Sequence, residues 1–395
     1  MKKILILGAG IYQVPLIETA KRLGIYTIAT SIPGNYPGFK FADKVYYENT
    51  TDSDAILDIA SREHVDGIVT AGTDVAVITI GKVCDALGLR GLSYEAAELA
   101  TDKLLMKECY EKAGVRSARY RRVDFDDADY AKSLSALTFP MMFKSVDSSG
   151  SRGIVKVNDP SEFDAARKIV LENTRSDYFI VEEFIEGEEF GAQAFMQDGK
   201  LEFILPHGDY VFEGDTGVPV GHFAPYALDE SILEDARQQL AAAAHAMKLD
   251  NCAINADFIL KDNKTYVLEL GGRSGATCLA ELVSIYYGFD YYEKIIRAAI
   301  GEKVGFSACD TTAGTPNASM LLTSDRDGII KSQRNDNAPD PDICEVQFDF
   351  IPGDRVHKFR VGPHRIGHVI TKGKSLDDAV ALLHKALDNI HIEVE

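Results

Sequence analysis

Within its first hundred residues the chain changes hydrophobic period again and again, and few folds accept that order. ILILGAG, VPLIETAKRLG, YTIAT, DAILDIASREH, GIVTAG and AVITIGKVCDALG read in turn as strand, helix, strand, helix, strand and helix. Short apolar runs separated by amphipathic helices predict a parallel sheet with crossover helices, because parallel neighbours cannot be joined by a tight turn. Gly8 and Gly10 fall at the first strand-to-helix turn, where a backbone can approach a ligand closely. The third glycine of a dinucleotide fingerprint is replaced by Gln13, and no acidic residue ends the second strand. A tight βα turn therefore accounts for the glycine pair, and nicotinamide dinucleotide binding is not expected.

From Ser93 the texture changes. EAAELATDKLLMKECYEKAG predicts one continuous helix ending at Gly114, since glycine takes the left-handed turn that closes a helix. FPMMFKSV, SRGIVKV, YFIVEEFI, GEEFGAQAFM and KLEFILP then alternate as antiparallel strands, with a helix from 160 to about 172. The Gly-rich HGDYVFEGDTGVPVGH reads as a flexible loop, followed by an Ala-rich helix over 230–247 and the strand pair NADFIL and TYVLEL. Residues 301–395 read as a last unit, with strands near VQFDFI and HVITKG and a helix from 375 to about 387. At 395 residues the chain is too long for one core, since single cores rarely grow past roughly 250 residues. The fold class is α/β followed by α+β, in two or three domains.

Charge narrows the function classes. With 42 basic against 61 acidic residues the formal charge is −19, which repels nucleic acid and anionic membrane as partners. A polyanionic ligand must then be held by local positive groups. The cysteines (Cys84, Cys109, Cys252, Cys278, Cys309, Cys344) are scattered without metal-ligand spacing, as expected of reduced thiols in a cytoplasmic protein. MKKILILGAG leads into a glycine turn instead of a cleavage site, and no run approaches the roughly 20 apolar residues that span a membrane.

The most informative chemistry lies in NADFILKDNKTYVLEL. If Asp262, Asn263 and Lys264 form a three-residue turn, Lys261 faces Thr265 and Asp257 faces Glu269, with β-carbons about 5 Å apart on one face. Like charges so placed repel. Either the pair is solvated on an exposed hairpin, or a divalent cation such as Mg²⁺ neutralises it together with substrate phosphates. Arg273 follows in ELGGRSG, where a planar guanidinium suits phosphate or carboxylate oxygens. Upstream, Lys144 ends an apolar strand and precedes Ser148, Ser149, Gly150, Ser151, Arg152 and Gly153. Such a loop can turn successive N–H groups towards an anion, or be a plain hairpin turn; it is not a Walker A loop. VEEFIEGEEFGA can line a nucleotide cleft or form a solvated acidic turn.

Taken in order, Lys103 in TDKLLMKECYEKAGV, Lys144 with its loop, VEEFIEGEEF, and Asp257, Glu269 and Arg273 resemble the ATP-grasp superfamily over about residues 100–280. The resemblance implies a pre-ATP-grasp parallel αβ domain over 1–97, an ATP-grasp domain of two α+β subdomains over 98–300 with a lid at about 115–185, and a small C-terminal α+β unit over 301–395. It implies that Lys103 and Lys144 contact ATP phosphates under the 148–153 loop, with Ser148, Ser149, Gly150, Ser151 and Gly153 closing over them. Glu182, Phe184 and Ile185 would meet adenine and Glu189 the ribose. Asp257 and Glu269 would hold Mg²⁺, with Mn²⁺ as a substitute, and Arg273 the transferring phosphate. Gly271 stands where many members carry asparagine, which leaves the number of metal ions open. ELGGRSG and HFAPYAL are similar to the amino acid ligases of the superfamily.

The implied reaction is attack of a small carboxylate on the γ-phosphate of ATP, then displacement of phosphate by an amine, with ADP released. Positioning and charge neutralisation carry such chemistry, in a cleft closed against water. A carboxyphosphate-forming enzyme uses the same apparatus, and a non-catalytic nucleotide-binding module is the alternative from another class. Substrates are small molecules, and a homodimer is compatible with the sequence.

Overall fold

The computed structural model describes the whole chain except residues 149, 151, 213–216 and 311–313 and the side chains of Ala308 and Asp310. The N-terminal alternation folds as β1 (Lys3–Leu7), α1 (Val14–Arg22), β2 (Tyr26–Ser31), β3 (Lys44–Tyr47), α2 (Ser53–Glu63), β4 (Gly67–Val69) and α3 (Val77–Leu87). Its strands lie parallel in the order β3-β2-β1-β4. β3 is additional to the expected set; as an edge strand with both ends exposed it lacks the apolar run that marks its neighbours. At the first turn Gln13 folds back, accepting from the Gly10 N–H at 2.9 Å and donating to the Ala71 carbonyl at 2.6 Å. A Cβ on Gly8 would meet this amide at 2.8 Å, so the residue that breaks the glycine fingerprint also fills the turn.

The helix expected up to Gly114 is two, α4 (Tyr94–Leu99) and α5 (Lys103–Ala113). Asp102 breaks it by capping α5, its carboxylate accepting from the N–H groups of Leu104 at 2.8 Å and Leu105 at 3.1 Å. The break leaves the Lys103 N–H free to bond the Val146 carbonyl at 3.0 Å, which ties α5 to the next sheet. That sheet is built from β5 (Tyr120–Asp124), α6 (Tyr130–Ser133), β6 (Met141–Ser145), β7 (Ile154–Val157), α7 (Phe163–Leu171) and β8 (Tyr178–Glu183). Its antiparallel order is β5-β8-β6-β7, packed around Phe143, Phe163, Phe179 and Val181.

The next elements are β9 (Glu188–Gln197), β10 (Lys200–Val211), β11 (Pro219–Ala224), α8 (Glu230–Ala246), β12 (Cys252–Lys261), β13 (Lys264–Gly271), α9 (Leu279–Tyr287), α10 (Tyr291–Ala299) and β14 (Asn317–Leu322). β15 (Gly328–Asn335), β16 (Ile343–Phe348), β17 (Arg355–Val356), β18 (Gly367–Lys372), α11 (Leu376–Asp388) and β19 (Ile390–Val394) complete the chain. Eight of these strands form one sheet in the order β13-β12-β9-β10-β11-β14-β18-β16, and β17-β15-β19 form a small one. The stretch expected as a flexible loop is mostly β10 and β11. Gly208 there marks close approach within a sheet and not a turn: a Cβ would lie 2.0 Å from the Phe223 ring. One face of the large sheet packs Phe190, Ala192, Ile254 and Phe258 on α8. The other packs Phe195, Phe203, Leu205 and Ala253 on α9, α10 and α1. Further along, the same face turns polar, and the candidate site begins there. Among the described residues no helix is long and apolar enough to cross a membrane.

Candidate active site

The β12–β13 hairpin sets the central pair. Its turn has two residues, Asp262 and Asn263, both at positive φ, and it pairs Lys261 with Lys264, not with Thr265 as the three-residue turn expects. A bulge between Asp257 and Phe258 then admits Leu268 as the extra residue and brings Asp257 opposite Glu269. The expected pairing thus exists, reached by a shorter turn and a bulge. Burial, then Glu269, then Asp209 push the Asp257 carboxyl up to about 7, with His207 and Arg273 acting the other way.

Positive groups surround this pair. Lys103, at the start of α5, donates to Glu269 Oε1 at 3.1 Å and to the Ser148 carbonyl at 2.8 Å. Burial works against its charge, but Glu269 and the more distant Asp74 and Glu182 outweigh it and hold the ammonium above its ordinary pKa. Lys144 on β6 donates to Glu182 Oε2 at 2.7 Å, and Lys107 lies 3.2 Å from Glu182 Oε1. Burial alone would raise the Glu182 pKa; Lys107 and Lys144 reverse that and hold it at about 2. Lys107 is absent from the residues singled out in the sequence, although it follows Lys103 by four on α5, a spacing that places both on one helix face.

Arg273 is gripped by Asp74 from the connection between β4 and α3, donating through Nε at 2.8 Å and Nη2 at 2.7 Å. No pattern around Asp74 in the sequence distinguishes it. Gly271 lies across from Asn255, whose side-chain oxygen accepts from Gln193 at 2.6 Å. Ser148 donates its hydroxyl to the Asn173 carbonyl. Gly150 and Gly153 both have positive φ, and a Cβ at Gly153 would meet Ser145 Oγ at 2.8 Å. Ser149 and Ser151 lie outside the described residues. The Phe184 N–H donates to the Pro140 carbonyl at 2.9 Å, and Lys156 Nζ sits 3.6 Å from the centre of the Phe184 ring. Ile185 is half-buried beside it and Glu189 is exposed on β9. The fold therefore joins Lys103, Lys144, Ser148, Glu182, Asp257, Glu269 and Arg273 in one cluster of charged and polar groups. Phe184, Ile185 and Glu189 lie along the β8–β9 connection, with no side-chain hydrogen bond to that network among the described residues.

Three more side chains share the face. His207 Nδ1 lies 3.0 Å and His222 Nδ1 2.7 Å from Asp209 Oδ1, with both imidazoles buried. The glycines of HGDYVFEGDTGVPVGH make the end of β10 and the start of β11 read as loop, which hides these residues; the alternation of His207 and Asp209 is the strand signal there. Asp257 and Glu269 suit a divalent cation, since two facing carboxylates, one of them resisting ionisation, lose their repulsion when a cation binds. Lysines and an arginine converging beside them suit phosphate oxygens.

The chain is similar to known proteins along its length. Residues 137–281 match the ATP-grasp domain and residues 320–395 the L-amino acid ligase C-terminal domain 2. The chain is 36% identical to a structure described as phosphoribosylglycinamide synthetase from Anaerococcus prevotii, with a TM-score of 0.86 and 100% of both chains covered. A structure of an L-amino acid ligase from Bacillus licheniformis shares the fold at 18% identity, with a TM-score of 0.79 over 100% of this chain and 99% of that one. Alanine–anticapsin ligase of Bacillus subtilis (strain 168) is 24% identical over 285 residues, which are 65% of this chain and 60% of that protein. The chain thus spans less than two thirds of that relative.

Proposed function

Since this chain belongs to the ATP-grasp superfamily, in its carboxylate–amine ligase branch, we propose that it joins a small carboxylate, an amino acid, to an amine through an acyl phosphate, releasing ADP and phosphate. The observation that carries this reading is the pairing in which Asp257 faces Glu269 while Lys103 bonds Glu269 and Arg273 follows just past the end of β13. Bound Mg²⁺ supplies charge neutralisation between phosphate oxygens; Asp257 and Glu269 would hold it, and Mn²⁺ is proposed as a substitute. Lys103 and Lys144 hold and orient the triphosphate, while the buried Lys107 supports Glu182 from behind, and the 148–153 loop excludes water, to which an acyl phosphate is labile. Arg273, held in place by Asp74, is positioned to steady the transferred phosphoryl group.

Two names among the relatives, alanine–anticapsin ligase and L-amino acid ligase, support an amino acid as the acid. A second reading has the amine carried on a phosphorylated sugar, supported by the full-length likeness to a structure described as phosphoribosylglycinamide synthetase. A pooled screen of amino acids and amines with Mg-ATP, read by mass spectrometry for condensation products, tests both. A dipeptide favours the first reading and a glycosylamide the second, whereas bicarbonate-driven ADP formation without amine would replace both with a carboxyphosphate-forming enzyme.

A further inference from the structure

We propose that Lys107 is a positioning residue for the phosphate chain of ATP, acting through Glu182 on Lys144 without touching the nucleotide, a role that rests on the ligase reading above. Met142 faces Glu182 across the β6–β8 ladder, and Lys144 lies two residues along β6 on the same side of the sheet. Glu182 and Lys144 therefore meet as a diagonal pair. Leu104 of α5 packs against Ile180 on that side, and the helix brings Lys107, three residues on, behind the carboxylate. Each oxygen then has its own lysine: Oε2 accepts from Lys144 at 2.7 Å, and Oε1 lies 3.2 Å from Lys107. Lys107 also donates to the Ser117 hydroxyl, which donates in turn to the Val267 carbonyl of β13 at 2.7 Å. The ammonium is thus pinned to the strand that carries Glu269, and from there it fixes where Glu182 and Lys144 come to rest.

Exposure separates the roles of the three. The side chains of Lys107 and Glu182 are each 2% exposed and that of Lys144 13%, so Lys144 alone reaches the surface where a ligand binds. Burying such charges is costly, and apolar side chains of similar volume would make a purely structural contact at less cost. What they cannot supply is charge at Lys144. With Glu182 as its only partner that ammonium would be cancelled and would attract a phosphate weakly. With Lys107 behind the carboxylate the trio keeps one net positive charge, presented at its exposed end. Since both carboxylate oxygens are committed to lysines, the Glu182 side chain acts on the triphosphate through Lys144 and not on the base.

Inorganic tripolyphosphate carries the phosphates of ATP without the base and reads this role directly. Lys107→Gln keeps donors for Glu182 and Ser117 but drops the charge. By calorimetry on the full chain with Mg²⁺, it should weaken tripolyphosphate and ATP by the same factor, on the order of 10-fold. Adding Glu182→Gln removes the negative charge as well, leaves Lys144 uncancelled, and should return both affinities to within about 3-fold of the unsubstituted protein. Losses from damage to the fold would accumulate instead. If Lys107→Gln does not fold, Ser117→Ala decides, because it frees Lys107 while leaving every charge in place; tripolyphosphate and ATP should again weaken together. Unchanged affinity in the variant that decides, a loss for ATP that tripolyphosphate does not share, or a double variant weaker than Lys107→Gln would each overturn the role. Lys144→Met is the control: if it weakens tripolyphosphate and Lys107→Gln does not, Lys107 is no positioning residue and the phosphate site stands. ADP formation by the unsubstituted protein with an acid and an amine keeps the ligase reading when Lys107 fails, and no ADP with any such pair overturns both.

Discussion

Asp257→Asn should stabilise the metal-free protein, and the gain should grow with pH in a calculable way. The native carboxyl titrates at about 7 against an ordinary 3.8, because it is buried and faces Glu269. An acid whose pKa is raised on folding carries no penalty below its unfolded value. The penalty grows by about 1.4 kcal/mol per pH unit up to the folded value and is constant above it. The displacement amounts to about 4 kcal/mol above pH 7, about 2 kcal/mol at pH 5.5 and nothing near pH 3.8. Asparagine has the shape of the neutral acid and escapes this cost. Urea unfolding of both proteins in EDTA, from pH 4 to pH 8, should show the two stabilities diverging and then running parallel. Mg-ATP should stabilise the unsubstituted protein more than the variant, and ATP turnover should be lost. A stability gap independent of pH, or a variant less stable at pH 8, would refute the idea that these carboxylates are held in conflict until a cation joins them.

Glu182 titrates in the opposite sense. With its pKa held at about 2 against an ordinary 4.5, its contribution is complete above pH 4.5 and is lost as pH falls towards 2, about 3 kcal/mol in all. Glu182→Gln should flatten that acid limb in urea titrations. Lys144→Met should weaken ATP binding by about 30-fold, the equivalent of about 2 kcal/mol for one charged phosphate partner; unchanged affinity by calorimetry would remove Lys144 from the nucleotide site. Asp74→Ala frees the Arg273 guanidinium and should lower kcat more than it raises the KM for ATP, whereas a change confined to KM would place Arg273 in ground-state binding. Chromatography of the nucleotide products should show ADP, and AMP as the main product would overturn transfer from the terminal phosphate.

The alternating first hundred residues are readable from period alone, because β1, β2 and β4 are buried along nearly all their length, while the edge strand β3 is not. Asp257 faces Glu269 as a three-residue turn predicts although the turn has two residues, because the bulge at Leu268 supplies the residue that the turn lacks. Glycine misled the reading of β10 and β11: Gly208 and Gly221 sit where the Phe223 ring and the Ser319 carbonyl press on the backbone, and such contacts leave no local pattern. Asp74 was out of reach for a different reason. Its role depends on a partner 199 residues away in the chain.

The eight-stranded sheet does not stop where the site stops. β11 bonds β10 on one side and β14 on the other, so strands from residues 317–372 continue the layer that carries Asp257. A recombinant chain ending near residue 300 would leave the ladder groups of β11 open along a flat edge, the geometry that invites strand addition by neighbours. Exchange of the last hundred residues with a relative is then a transplant of three of the sheet's eight strands, and it should succeed only when the seam between β11 and β14 travels with it.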